Sequence, residues 1–140
     1  MNELFNIKDY VVVITGGTGI LGRTIAKYLA NNGAQVVILG RKEEVGKEIV
    51  DDIVKDGGKA EFMKTDVMDY AAVQKNCDDI IAKYGRIDTL LNAAGGNMAG
   101  ATITPDQTFF DLKVEEFQKV LNLNLTGMFP RVYSKSLLFG

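Results

Sequence analysis

Apolar runs alternate along the chain with stretches whose apolar positions recur at helical spacing. The first run, Val11-Val12-Val13-Ile14, is wholly β-branched and leads through Thr15 into a glycine-rich turn. Leu21, Ile25, Tyr28 and Leu29 then mark one face of a helix that Asn31-Asn32-Gly33 stops. Gln35 to Leu39 reads as a buried parallel strand. Val45, Ile49, Ile53 and Val54 mark a second helix, ended by Asp56-Gly57-Gly58. Lys59 to Thr65 is a third strand. Val73, Cys77, Ile80, Ile81 and Tyr84 mark a third helix closed by Gly85, and Arg86 to Asn92 is a fourth strand.

This order predicts an α/β fold, a Rossmann-type doubly wound parallel sheet of strand order 3-2-1-4 with right-handed crossovers. A ligand crevice is expected at the C-terminal ends of strands 1 and 4, where the winding reverses. Beyond strand 4, Ala93 to Thr108 is a long loop of small and polar residues, either a substrate-facing segment or a flexible connector. Leu112, Val114, Phe117, Val120, Leu121, Leu123, Leu125 and Met128 then suggest a long apolar helix. Pro130 should kink that helix or end its first half, and the chain finishes on a helical pattern from Tyr133 to Gly140.

The turn Thr15-Gly16-Gly17-Thr18-Gly19-Ile20-Leu21-Gly22 carries the first candidate chemistry. A strand aims it, glycines let a ligand approach the backbone, and the helix after it presents free N–H groups and the positive end of its dipole. That arrangement suits a dinucleotide pyrophosphate. Gly16 would make the tight turn, Gly19 the close approach, and Gly22 the packing of helix on strand. An ordinary strand-to-helix turn is the plainer alternative.

Composition narrows the partners. The 140 residues are one domain's worth, 46% hydrophobic and 24% charged, as in a globular protein. A net charge of −2 gives no electrostatic reason to expect nucleic acid or an anionic membrane. No apolar run reaches the length of a membrane span, and Met1 to Asn6 lacks a signal-peptide pattern, so a cytoplasmic location is expected. The single cysteine, Cys77, reads as a small buried hydrophobe. With no histidine, His-based acid–base chemistry and most zinc sites are excluded within these residues, and no metal site is expected.

Four motifs, Thr15 to Gly22, Asp66-Val67, Asn92-Ala93-Ala94-Gly95 and Asn124-Leu125-Thr126-Gly127, resemble in order and separation the N-terminal half of the short-chain dehydrogenase/reductase family. Ala93 to Asn97, with Phe109-Phe110-Asp111-Leu112, is most similar to the mannonate (fructuronate) oxidoreductase subgroup. The resemblance implies an NAD(P)-dependent oxidoreductase that moves hydride between a nicotinamide and a carbonyl or alcohol. It implies that Gly16, Gly17, Thr18, Gly19, Ile20 and Leu21 hold the pyrophosphate. Asp66 would accept from the adenine amino group, with the Val67 backbone nearby. Asn92, Ala93, Ala94 and Gly95 would stabilise the central sheet and line the cofactor ribose, and Asn124 would hold a water in a proton relay. From the residues alone, Asp66 ends strand 3 at the crevice or caps the third helix, a job for which Asp69 competes. A mid-helix Asn124 can also simply bond locally.

Two positions depart from the family's commonest pattern: Ile20 stands where a glycine is usual, and Ala93 replaces the second asparagine of Asn-Asn-Ala-Gly. At the end of strand 2, Gly40 stands where NAD sites offer a carboxylate, and Arg41 and Lys42 follow. Two cations and no acid point to NADP over NAD, the plainer alternative being that Arg41 and Lys42 are a solvated helix start. The family's catalysis further needs a serine after a fifth strand and a Tyr-x-x-x-Lys motif. Tyr133 is followed four residues on by Leu137, and Lys135 is out of register. Residues 1–140 are therefore expected to be the dinucleotide-binding domain without the catalytic half, truncated and inactive alone. The alternatives are a non-catalytic dinucleotide-binding or regulatory module and a structural protein that lost the ligand. Strand 4 would be an apolar edge, so a homo-oligomer through that edge or the final helix is expected.

Overall fold

A computed structural model describes residues 5–128. Met1 to Leu4, Pro130, Tyr133, Lys135 and the helical pattern expected from Tyr133 to Gly140 lie outside these residues. Strands β1 (Val11–Thr15), β2 (Gln35–Gly40), β3 (Lys59–Lys64) and β4 (Thr89–Asn92) form one parallel sheet of order β3-β2-β1-β4. Helices α1 (Ile20–Asn31), α2 (Glu43–Lys55) and α3 (Tyr70–Tyr84) make the crossovers. The chain steps outward from β1 to β3, then returns through α3 to lay β4 on the other side of β1.

The pleat explains why the apolar runs are continuous. Val12, Ile14, Val36 and Ile38 face α1 and α2, where they pack with Ala26, Ala30, Ile49 and Ile53. Val11, Val13, Val37 and Leu39 face the other way, onto Ile80 of α3. A side chain such as Ile38, with no exposed surface, contributes about 2 kcal/mol through burial. Cys77 is buried on α3, as its spacing implied. Asp69 caps α3 by accepting from the Ala72 N–H at 3.1 Å, and Gly85, at φ 77°, ends it.

Three expectations need correcting. The inner face of α1 is Gly22, Ala26 and Ala30, flanked by Ile25 and Leu29, whereas Leu21 and Tyr28 are exposed. The helix lies so close to the glycine turn that only small residues fit beneath it: a Cβ on Gly22 would stand 2.6 Å from the Gly16 carbonyl oxygen. The fourth strand starts at Thr89, not Arg86. Asp88 is instead a clasp: its N–H donates to the Val11 carbonyl, and its carboxylate accepts from the Val11 N–H at 2.8 Å. Finally, the long apolar helix is divided. A one-turn 3-10 helix (Phe109–Asp111), closed by reciprocal Thr108–Asp111 bonds, precedes α4 (Val114–Leu121), and a π turn follows from Asn122 to Thr126.

The Asp88 clasp makes a pH prediction. Burial pushes this carboxyl up, but the Arg86 guanidinium and the Val11 N–H outweigh that, so it titrates below the ordinary Asp value of 3.8. A lowered folded pKa means stability that is present above the unfolded value and lost as pH falls through the folded one. Asp88→Ala should cost about 2 kcal/mol in urea unfolding near neutrality, because the Val11 N–H loses its acceptor. The gap from the unsubstituted chain should narrow in acid, as the pH falls below the ordinary Asp value of 3.8. An equal gap at both pH values would refute the clasp.

Candidate dinucleotide site

The glycine turn is built on backbone contact. Gly16 adopts φ +65°, and a Cβ there would lie 2.6 Å from Ala94 Cα and 2.7 Å from Ala93 O. The turn from β1 and the loop from β4 therefore touch main chain to main chain. Thr15 Oγ1 adds a bond, accepting from the Ala94 N–H at 3.2 Å. Gly19, the N-cap of α1, brings no side chain to the first-turn N–H groups. Those donors stay open toward whatever lies above the turn.

Above it is a cavity of about 490 Å³, at the C-terminal ends of the strands where the sheet order reverses. Of the residues singled out from sequence, Gly16, Thr18, Gly19, Gly40, Arg41, Asp66, Val67, Ala93, Ala94 and Gly95 line it. Gly17, Ile20, Leu21, Lys42, Asn92 and Asn124 do not. Gly17 is packed toward Ile38, and a Cβ on it would fall 2.7 Å from Ile38 Cγ2. Ile20 and Leu21 open α1 with side chains 88% and 76% exposed. Lys42 is the N-cap residue of α2. Asn92 ends β4 with Oδ1 buried and, among the described residues, without a hydrogen-bond partner.

Asp66 follows β3 rather than ending it. Its Oδ1 accepts from the Met68 N–H at 2.9 Å, which fixes the carboxylate at the rim of the cavity. The cap of α3 belongs to Asp69, so Asp66 is free of that task. At the β2 end, Arg41 is exposed and lines the cavity. Glu43, three residues past the strand, is engaged elsewhere: Lys47 bonds it at 2.7 Å and Lys64 stands 3.9 Å away. The Lys47 bond, chiefly, holds the Glu43 carboxyl below its ordinary value.

Asn124 sits in the π turn, where the helix takes one more residue per turn and tips side chains off the regular stripe. Its Oδ1 accepts from the Gly96 N–H at 3.0 Å, and its Nδ2 donates to Gly96 O at 2.7 Å and Val120 O at 2.8 Å. The amide thus clamps the loop after β4 as if it were a neighbouring strand. A Cβ on Gly95 would lie 2.6 Å from Asn124 Oδ1. The loop itself is a succession of turns closed by side chains. Asn97 Nδ2 donates to Thr102 Oγ1 at 2.7 Å, and the Thr104 N–H donates to Gln107 Oε1 at 3.1 Å. Met98 of this segment lines the cavity wall.

Sequence reasoning missed Thr65, Met68, Met98, Lys119, Asn122 and Leu123, all of which line the cavity. Thr65 and Met68 lie just after β3, which was an available signal, whereas Met98 lies in the loop after β4, Lys119 in the last turn of α4 and Asn122 and Leu123 in the π turn. Lys119 is paired with Glu116 at 2.6 Å. Among the described residues no group of three His, Cys, Asp or Glu side chains is placed to hold a metal ion, and no helix is long and apolar enough to cross a membrane. The donor set fits a dinucleotide: a backbone cradle that a Cβ would fill, open helix N–H groups, a rim carboxylate and a cation at the β2 end.

A nucleotide cradle at the switch point of a 3-2-1-4 sheet defines a doubly wound dinucleotide-binding fold. The short chain dehydrogenase family model matches residues 10–135, and the chain belongs to that family of oxidoreductases. The oxidoreductase UxuB of Bacillus subtilis (strain 168), itself described as uncharacterized, is 36% identical over 95% of this chain and 51% of its own length. A 3beta-hydroxysteroid dehydrogenase of Mediterraneibacter gnavus is 37% identical over 86% of this chain and 42% of its own. Among solved structures, a candidate D-mannonate oxidoreductase from Haemophilus influenzae with bound NAD superposes with a TM-score of 0.85. It is 30% identical, over 95% of this chain and 52% of that one. A metagenomic short-chain oxidoreductase in complex with NADP gives a TM-score of 0.80 at 26% identity, over 92% and 56%. The chain spans about half the length of the relatives it matches.

Proposed function

We propose that residues 1–140 are the dinucleotide-binding domain of a short-chain dehydrogenase/reductase. The carrying observation is the main-chain contact of Gly16 with Ala93-Ala94 beneath the cavity. The turn from Gly16 to Leu21 holds the pyrophosphate at the open N–H groups of the first turn of α1, while the Gly17 and Gly19 N–H groups, donated to Leu39 O and Gly16 O, keep the turn in shape and the exposed side chains of Ile20 and Leu21 stay outside the site. Asp66 accepts from the adenine amino group beside Val67. Ala93, Ala94 and Gly95 wall in the ribose, and Asn92, with its Oδ1 buried, stabilises the central sheet beneath them. The bound cofactor supplies hydride for exchange with a carbonyl or alcohol, a sugar acid by likeness to the mannonate subgroup. Asn124, whose amide is engaged by Gly96 and Val120, holds a water of the proton relay once the catalytic half is present.

The cofactor is NADP in preference to NAD. Gly40 presents no carboxylate to repel a 2′-phosphate, Glu43 is bound by lysines, and Arg41 lines the cavity at the β2 end, with Lys42 following it as the N-cap residue of α2. Calorimetric titration should show tighter binding of NADP. Equal or tighter binding of NAD would reverse the preference. At 100 times its dissociation constant the better cofactor should stabilise the fold by about 2.7 kcal/mol, and no thermal shift with either would overturn the reading.

None of the five tyrosines is followed four residues on by lysine, so these residues contain no Tyr-x-x-x-Lys acid. The 140-residue polypeptide should therefore bind cofactor and show no reductase turnover. Measurable turnover by purified protein would refute this. Its β4 edge, Thr89 to Asn92, carries no charge, and Val114, Phe117 and Leu125 of the α4 region are exposed. These surfaces support self-association, which a monodisperse monomer in sedimentation at micromolar concentration would exclude.

A further inference from the structure

We infer that Thr18 is a specificity-determining positioning residue: its side chain fills the space that a carboxylate at position 40 would need, and so keeps the site open to a ribose 2′-phosphate. This rests on the dinucleotide reading above and explains its cofactor preference by sterics rather than by charge alone. A Cβ on Gly40 would lie 2.8 Å from Thr18 Cγ2 and 2.9 Å from Thr18 Oγ1, with the next atom, from the Phe62 ring, at 3.5 Å. Separations under 3 Å demand that something move.

Thr18 cannot clear the space by turning. Its χ1 has three staggered positions, and two of them face Gly40, one occupied by Cγ2 and the other by Oγ1. Rotation by one well moves the hydrogen into one of these positions and leaves a heavy atom in the other. The Thr18 Cβ is not among the close atoms, so truncation to alanine would remove both contacts. Both residues line the cavity, as does Arg41. The chain thus meets the ribose end with a threonine lying flat over a bare strand end. An acidic side chain in the place where an NAD site offers one requires two changes, not one.

Four variants test this by thermal unfolding and by titration with NADP and NAD. Gly40→Ala should lower Tm by about 5 °C, and Thr18→Ala/Gly40→Ala should lose much less than the two single losses together. Gly40→Asp should weaken both cofactors about tenfold or more, because the displaced Thr18 disturbs the turn. Thr18→Ala/Gly40→Asp should regain stability and bind NAD about tenfold tighter than NADP. Additive thermal losses, or a Gly40→Asp chain that keeps its Tm and prefers NAD unaided, would overturn the assignment. A wild-type chain that binds neither cofactor would remove the dinucleotide reading and this preference with it. A wild type that binds both, with additive losses, would overturn the Thr18 inference alone.

Discussion

Gly16→Ala is expected to abolish dinucleotide binding and to lower stability by about 3 kcal/mol. Two costs add at this residue. At φ +65° any L side chain is strained, and the new methyl would sit 2.6 to 2.7 Å from the main chain of Ala93 and Ala94. Backbone cannot step aside as a flexible side chain can. The β1 turn and the β4 loop would have to separate, which breaks the bond from the Ala94 N–H to Thr15 and opens the cavity floor. Calorimetric titration with NADP and urea unfolding measure the two effects. Retained affinity with unchanged stability would show that the turn does not carry the site.

Asn124→Ala should weaken cofactor binding about tenfold and cost about 2 kcal/mol, by deleting three hydrogen bonds. The loss falls on the loop: Gly96 loses both its donor and its acceptor partner, and Ala94-Gly95 loses the brace behind it. Amide hydrogen exchange at Gly96 should accelerate along with the loss of affinity. Asn124→Asp is the informative companion. It can still accept from the Gly96 N–H but donates nothing to Gly96 O or Val120 O, so its loss should be intermediate. Wild-type exchange and affinity in Asn124→Ala would rule out the clamp.

The chemistry at Gly40 was legible only in part. An absent carboxylate and two following cations can be read along a line of letters. That Gly40 is also obliged to stay bare follows from Thr18, 22 residues earlier, being folded onto it. Asp66 shows the opposite case. Its two readings, rim carboxylate or helix cap, were separated once Asp69 was seen to take the cap.

Local order along the backbone could be read without coordinates because each signal acts over a few residues. β-branched runs gave β1 and β2, glycine and asparagine stops closed α1 to α3, and the alternation of elements led to the 3-2-1-4 sheet through the handedness of its crossovers. Packing between distant segments could not be read in that way. The burial of Gly22 in place of Leu21, the shortening of β4 by the Asp88 clasp, the π turn that aims Asn124 at Gly96, and the walls added by Thr65, Met68, Met98, Lys119, Asn122 and Leu123 all depend on which main-chain atoms come within contact distance. Side-chain periodicity reports which face of an element is apolar. It carries no measure of how closely that face lies against a neighbour brought from far along the chain, and at this site that distance sets what fits.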